Sequence, residues 1–165
     1  MMISQTMNGR LNQQITAEFS AAHSYLAMAG MLDGMGLKAV SKRFIEQYEE
    51  EVKHALKILR YVLEVGGKVG LEGVPKPTSD FKSVEAIVQA SVEHEKRVTQ
   101  MINDLVTLAE QEKDYATRSF LDWFVDEQVE EVSTMTEMLN IVRLAGPNLL
   151  QVEGWVRHQM TEGKT

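Results

Sequence analysis

The feature that most limits how this chain can fold is a glutamate inside an otherwise apolar heptad row. Counted in steps of seven, that row contains Leu37, Phe44, Glu51, Ile58 and Val65. His54 lies three residues after the glutamate, so the carboxylate and the imidazole share one face of a helix and can reach a single metal ion. Because a buried carboxylate needs a partner or a metal ion, the row predicts a functional site within a helical core.

The composition predicts an all-α protein that folds as a single domain over residues 1–165. The chain contains only 3 prolines and 7% aromatic residues, whereas residues that favour helices, such as Glu, Ala, Leu, Met, Gln and Lys, are abundant. The predicted helices cover residues about 4–33, 38–65, 83–111 and 115–144, followed by a short fifth helix at about 148–160. The first four would form a bundle over residues about 4–145.

Residues 67–82 form the one long predicted connection, because three glycines and two prolines prevent a continuous helix there. A segment of this length can span about 53 Å when extended, whereas the second helix is roughly 42 Å long. The connection can therefore cross the whole bundle and start the third helix parallel to the second. A four-helix bundle with one long crossover is the predicted fold.

Polar residues interrupt the apolar rows of the other helices as well. They are Glu18, Glu95, Gln128 and Glu131. Each lies near the midpoint of its helix, and helix midpoints share one level in a bundle, so these side chains should meet in one layer. A neighbouring Lys or Arg is the ordinary partner of a buried glutamate, but Lys53 and Lys57 fall on other faces of their helix. Four inward carboxylates without such partners predict bound cations.

Two divalent ions are the natural number for such a layer. The chain has no cysteine, so oxygen and nitrogen atoms must hold them, and carboxylates with one imidazole suit iron or manganese, with zinc also able to bind. The ligands predicted from position are Glu18 and His54 at one ion, Gln128 and Glu131 at the other, and Glu51, with Glu95 as a further candidate, as bridges.

The remaining aromatic, histidine and methionine residues are interpreted mainly as packing or surface residues. Tyr25 is predicted in the core, with a redox or hydrogen-bonding role left open, and Trp123 is predicted to pack beside the site. His23, His94 and His158 are predicted at the surface. Most of the ten methionines are predicted to fill the core, among them Met28, Met101, Met135 and Met138.

Charge and hydropathy exclude several classes of partner. The net charge of −7 argues against nucleic acid and is compatible with attracting cations. No apolar run approaches the roughly 18 residues that a membrane span requires. The first residues lack the pattern of a signal peptide, so a cytoplasmic location is expected.

Four stretches of the sequence resemble bacterial non-haem ferritins, and the similarity runs through about residues 3–145. They are 18–25, 49–54, His94-Glu95 and 123–131. In that family a ferroxidase centre oxidises Fe(II) with O2 or H2O2, and a hollow shell of 24 identical subunits stores the ferric product. The resemblance therefore implies Fe(II) and the oxidant as partners, a ferritin-like bundle and a homo-oligomer.

The resemblance also implies a role for each matching residue. Glu18, Glu51 and His54 match the ligands of the first iron, and Glu51, Glu95, Gln128 and Glu131 match the surroundings of the second. Glu50, Glu127 and Glu130 match a third, weaker iron position, and Tyr25 matches a tyrosine beside the centre. Haem is not expected, because Val52 stands where the haem-binding relatives have methionine.

Two other functions stay open from the sequence. A non-catalytic cage or metal buffer would bind Fe(II) without accelerating its oxidation. A ferritin-like oxygenase or peroxidase would need a pocket for an organic substrate beside the metals. The rubrerythrin type of peroxidase is disfavoured, because the cysteines of its second iron module are absent.

Overall fold

The computed structural model describes residues 2–162, which contain five α-helices and no strand. The helices are α1 (Gln5–Gly34), α2 (Lys38–Glu64), α3 (Val84–Glu112), α4 (Tyr115–Ala145) and α5 (Leu149–Glu162). All five predicted helices are present, with ends within two residues of the predicted ones. The all-α prediction is confirmed, whereas residues 1 and 163–165 of the predicted domain lie outside the described residues.

Side-chain caps explain where three of the helices begin. The Ser83 hydroxyl accepts a hydrogen bond from the Ala86 backbone N–H at 3.0 Å and is the N-cap of α3. Ser4 and Asp114 cap α1 and α4 in the same way. Each cap satisfies a backbone donor that the first helical turn would otherwise leave unpaired.

The contacts between α1 and α3 determine the topology of the bundle. Ser4 at the start of α1 donates to the carboxylate of Glu112 at the end of α3. Near the other end of α1, Met28 accepts a hydrogen bond from Ser91, which lies early in α3. The two helices are therefore antiparallel. Since the short turn after α1 also makes α2 antiparallel to α1, α3 is parallel to α2 and the predicted crossover is confirmed.

Two asparagines on α1 hold the first part of the crossover. The Asn8 side chain accepts from the Lys68 backbone N–H at 2.9 Å and donates to the Lys68 carbonyl at 3.1 Å. One turn later, Asn12 accepts from the Gly70 N–H at 2.6 Å and donates to the same Lys68 carbonyl. These paired amide contacts satisfy the backbone of a segment that has no helix of its own.

A buried glutamate attaches α5 to the bundle. Glu153 is 7% exposed, and its carboxylate accepts from the backbone N–H groups of Ala39 at 2.6 Å and Val40 at 3.2 Å. These are free donors in the first turn of α2, whose N-cap residue Leu37 makes no side-chain bond. The carboxylate thus caps α2 from a distant part of the chain and also interacts with the positive end of its dipole.

The core consists of two apolar clusters with a polar layer between them. One cluster includes Leu32 and Phe44 and extends to α5, and the other includes Leu11 and Ile58 at the opposite end of the bundle. The predicted polar residues lie between the two, near the helix midpoints. None of the helices within residues 2–162 is long and apolar enough to cross a lipid bilayer.

We predict that Gly67→Ala destabilises the protein by about 1–3 kcal/mol, the usual cost of overpacking. An added Cβ at Gly67 would lie 2.4 Å from Asn8 Oδ1 and 2.9 Å from the backbone oxygen of Val62. Gly73→Ala is the matched control, because nothing lies within 4 Å of its Cβ position. Urea unfolding of both variants measures the difference, and equal midpoints would contradict the tight contact.

Candidate metal centre

Six polar side chains from all four long helices form the buried layer. Each of them is at most 5% exposed. They are Glu18 on α1, Glu51 and His54 on α2, Glu95 on α3, and Gln128 and Glu131 on α4. The helices place the side chains of the predicted ligands in the core, at the level where the two apolar clusters are interrupted.

Glu18, Glu51 and His54 form the most deeply buried group. His54 Nδ1 lies 3.7 Å from Glu18 Oε2 and 3.6 Å from Glu51 Oε2. One ligand atom from each residue lies within 4.8 Å of the others, so the three could hold one metal ion. Glu18 Oε2 is buried and has no hydrogen-bond partner among residues 2–162, which leaves an acceptor available to a cation.

A second group lies on the other side of the same imidazole. His54 Nε2 is 3.8 Å from Glu127 Oε1. With Glu131, these two residues form a second set whose ligand atoms lie within 4.8 Å of one another. The imidazole of His54 therefore stands between two carboxylate groups, with one ring nitrogen facing each.

Glu95 belongs to neither of these groups. Its carboxylate accepts a hydrogen bond from the Tyr25 hydroxyl and another from Gln128 Nε2 at 3.3 Å. Gln128 also donates to the Glu95 backbone carbonyl and to Thr99 Oγ1. Among the two roles left open for Tyr25, the structure shows the hydrogen bond, and it shows Gln128 as a donor to Glu95.

Burial and mutual repulsion govern the protonation of the layer. Burial raises the pKa of Glu131 to about 8, with the charges of Glu95 and Glu50 acting in the same direction. Burial likewise raises the pKa of Glu95 and, far more, that of Glu51. Burial also raises the pKa of Tyr25 well above its ordinary value. Without cations the layer thus favours protonated carboxyl groups.

His54 and Glu18 instead favour their charged forms, because each faces a group of opposite charge. Burial opposes the imidazolium, but the facing carboxylates of Glu18 and Glu51 outweigh it and raise the pKa of His54 to about 10. Burial opposes ionisation of Glu18 too, yet its interactions with His54 and Glu51 leave its pKa below the usual value. The imidazolium therefore supplies the positive charge that a metal ion would otherwise bring.

The residues matched to a third iron lie farther from the core. The Glu127 side chain is 27% exposed, Glu50 is half-buried and Glu130 is exposed. Glu50 is close enough to raise the pKa of Glu131 through its charge. Of these three, only Glu127 lies in a group that could hold a metal ion, within residues 2–162.

Two buried glutamines complete the layer and were not predicted. Gln14 Nε2 donates to Glu18 Oε1 at 2.7 Å, and Gln47 Nε2 donates to Glu131 Oε2. Gln14 precedes Glu18 by four residues and Gln47 precedes Glu51 by four, so helical spacing already placed both on the inner face. The glutamines orient carboxylates without adding charge.

The prediction that His94 lies at the surface is wrong. This residue is half-buried, its ring lies edge-on to Tyr25 with centroids 6.3 Å apart, and its buried Nε2 has no hydrogen-bond partner in the described part of the chain. Its contact with Tyr25 lies at the boundary between α1 and α3, and the spacing of residues along the sequence does not reveal such a tertiary contact. His23 and His158 are exposed as predicted, and Trp123 packs edge-on against His54.

Comparison with known proteins yields close relatives along nearly the whole chain. A family model described as Ferritin-like domain matches residues 8–145. Ferritin BfrB of Mycolicibacterium smegmatis is 33% identical over 151 residues, which are 92% of this chain and 83% of that protein. A bacterial non-heme ferritin of Staphylococcus aureus is 38% identical over 145 residues, which are 88% of this chain and 87% of that protein. An open pore ferritin structure from Archaeoglobus fulgidus has a TM-score of 0.92 and 41% identity, covering 94% and 96% of the two chains.

We predict that binding of Zn²⁺ to the metal-free protein at pH 7 releases at least about one proton per chain. With pKa values of about 10 and about 8, His54 and Glu131 are mostly protonated at that pH. An ion held by Glu18, Glu51 and His54 needs His54 deprotonated, and an ion beside Glu131 needs that carboxyl group deprotonated as well. Because Zn²⁺ displaces these protons, the affinity of the protein for Zn²⁺ should rise with pH. Calorimetry in buffers of different ionisation enthalpy measures the protons released, and Glu131→Gln should release fewer. Heats that do not depend on the buffer would contradict this charge distribution.

Proposed function

This chain belongs to the ferritin family, and we propose on that basis that it stores iron and that its buried centre is a ferroxidase. The observation that carries the proposal is the group of Glu18, Glu51 and His54, whose ligand atoms lie within 4.8 Å of one another in the core. Its chemistry, two carboxylates and one imidazole, suits Fe(II) as well as Fe(III).

In this proposal the first Fe(II) binds to Glu18, Glu51 and His54. The second binds beside it, with Glu131 and the bridging Glu51 as ligands and with Glu95 recruited from its hydrogen bonds to Tyr25 and Gln128. Each Fe(II) gives up one electron, and the two electrons with two protons reduce O2 to H2O2, or H2O2 to two waters. Buried carboxylates favour the step, because they are attracted more strongly to Fe(III) than to Fe(II).

The neutral partners of the carboxylates have a positioning role in this chemistry. Gln14 and Gln47 each donate one hydrogen bond to a carboxylate and leave its other oxygen available to iron. Such outer contacts orient the ligands and typically change metal affinity by about 10–100-fold. Tyr25 acts similarly on Glu95, which must exchange this hydrogen bond for iron when the second position is filled.

Storage requires a compartment, and we propose that 24 copies of the chain form a shell around the ferric product. Large apolar side chains remain exposed on α1, α2 and the crossover, as expected of surfaces that other copies cover. Examples are Leu26 at 45%, Leu63 at 56% and Leu71 at 62% exposure. Light scattering of the purified protein tests the proposal through the mass of the particle.

A non-catalytic metal buffer is the second candidate, and one observation favours it. Glu95 is engaged with Tyr25 and Gln128 and lies outside both groups that could hold a metal ion, so the second iron position is incomplete in this geometry. A buffer would bind Fe(II) under argon but leave O2 consumption at the rate of free Fe(II). A ferroxidase would accelerate it.

We predict that Glu51→Ala slows Fe(II) oxidation by at least about 100-fold, since loss of a direct ligand should cost as much as the largest outer-contact effects. Glu51 is 1% exposed and is the residue that both iron positions share in this proposal. Stopped-flow absorbance of ferric product measures the rate. Glu49→Ala is the matched control, because Glu49 is exposed on the same helix.

The variant must also assemble for the comparison to be valid. Light scattering and circular dichroism should give the same particle mass and helix content for Glu51→Ala, Glu49→Ala and the unaltered protein. Unchanged oxidation by a correctly assembled Glu51→Ala particle would refute the ferroxidase assignment.

A further inference from the structure

We propose that Glu127 positions His54 for the first iron by accepting a hydrogen bond from its second ring nitrogen. In this role Glu127 is a positioning residue and its carboxylate does not need to bind metal. The inference rests on the proposed function, since it concerns the same centre. It differs from the resemblance to bacterial ferritins, which assigns Glu127 to a third iron.

The orientation of the imidazole is the first observation. Nδ1 faces Glu18 Oε2 and Glu51 Oε2, at 3.7 and 3.6 Å, and the side chains of these two residues are at most 2% exposed. Nε2 faces Glu127 Oε1 at 3.8 Å. The more deeply buried pair of carboxylates therefore lies on the Nδ1 side. In this pair Glu18 Oε2 has no hydrogen-bond partner within residues 2–162, so a cation gains the most binding energy on this side.

The chemistry of imidazole then decides what the other nitrogen does. A metal ion takes the lone pair of one nitrogen, and at neutral pH the other nitrogen of His54 keeps its proton and becomes a donor. Ligating histidines almost always give that proton to a carboxylate, a carbonyl or water, which holds the ring in place and makes it more basic. Glu127 is the carboxylate facing Nε2.

Packing against α4 supports the same assignment. The His54 ring lies edge-on to Trp123 and Phe124, with centroids 5.4 and 6.0 Å apart. Glu127 follows Trp123 by one helical turn, so the same face of α4 supplies both the aromatic contact and the acceptor. Its side chain is 27% exposed and has room to close the 3.8 Å separation to hydrogen-bond length.

The two roles for Glu127 require different properties of the side chain. A ligand of iron needs a carboxylate, because an amide oxygen is a much weaker ligand. A positioning residue needs only an oxygen that accepts a hydrogen bond, which glutamine retains. Glu127→Gln therefore separates the roles, and Glu127→Ala removes both.

The experiment measures Co²⁺ binding to the assembled protein, since Co²⁺ is not oxidised by air under mild conditions and its visible spectrum reports its coordination. Glu127→Ala should weaken Co²⁺ binding to the group of Glu18, Glu51 and His54 by about 10–100-fold and should alter the visible spectrum of the bound Co²⁺. Glu127→Gln should retain the spectrum of the unaltered protein and most of its affinity, because the amide oxygen still accepts the hydrogen bond. Asp126→Ala is the matched control, because Asp126 is the exposed neighbour of Glu127 on α4.

The other outcomes overturn the inference. Equal losses in Glu127→Ala and Glu127→Gln would show that the carboxylate charge itself is needed, as for a ligand. Unchanged affinity in Glu127→Ala would show that His54 does not depend on this acceptor. Failure of the unaltered protein to bind Co²⁺ would instead refute the proposed metal centre, so the two failures are distinguishable.

Discussion

The structure depends on the burial of four carboxylates in one layer of an apolar bundle. Isolated ionised groups there would cost several kcal/mol each, and the chain offsets the cost in three ways. Glutamine and tyrosine donors satisfy some oxygens, several carboxyl groups have raised pKa values, and His54 provides a buried positive charge. A layer held in this state gains strongly from divalent cations, which replace both the protons and the imidazolium.

The rest of the fold keeps this layer closed. The two apolar clusters separate it from both ends of the bundle. The long crossover makes α3 parallel to α2 and antiparallel to α1. Tyr25, which follows the midpoint of α1, therefore lies level with Glu95, which precedes the midpoint of α3, and can reach it. Glu153 attaches α5 at the end of the bundle that lies away from Asn8 and the crossover's first residues, so the two anchoring contacts stabilise opposite ends.

Heptad spacing was sufficient to predict the level of the polar layer, because that level depends on which face of a helix a residue occupies. The glycines, prolines and length of residues 67–82 were sufficient to predict the crossover. Heptad spacing was not sufficient to predict which partner each side chain selects. Glu95 could be assigned to the core from its row, but its hydrogen bonds to Tyr25 and Gln128 depend on side-chain rotamers across three helices. His94 was wrongly placed at the surface for the same reason. Gln14 and Gln47 had the right spacing, yet neutral amides in a row are a weaker signal than buried charges.

We propose that the layer oxidises Fe(II) at a two-metal centre. The most direct measurement loads the iron-free protein with increasing Fe(II) under argon, adds O2 and follows the fast formation of ferric absorbance. We expect the fast phase to saturate at about two irons per chain, as a two-metal site requires. Saturation at one iron, or binding with no fast phase, would contradict this proposal.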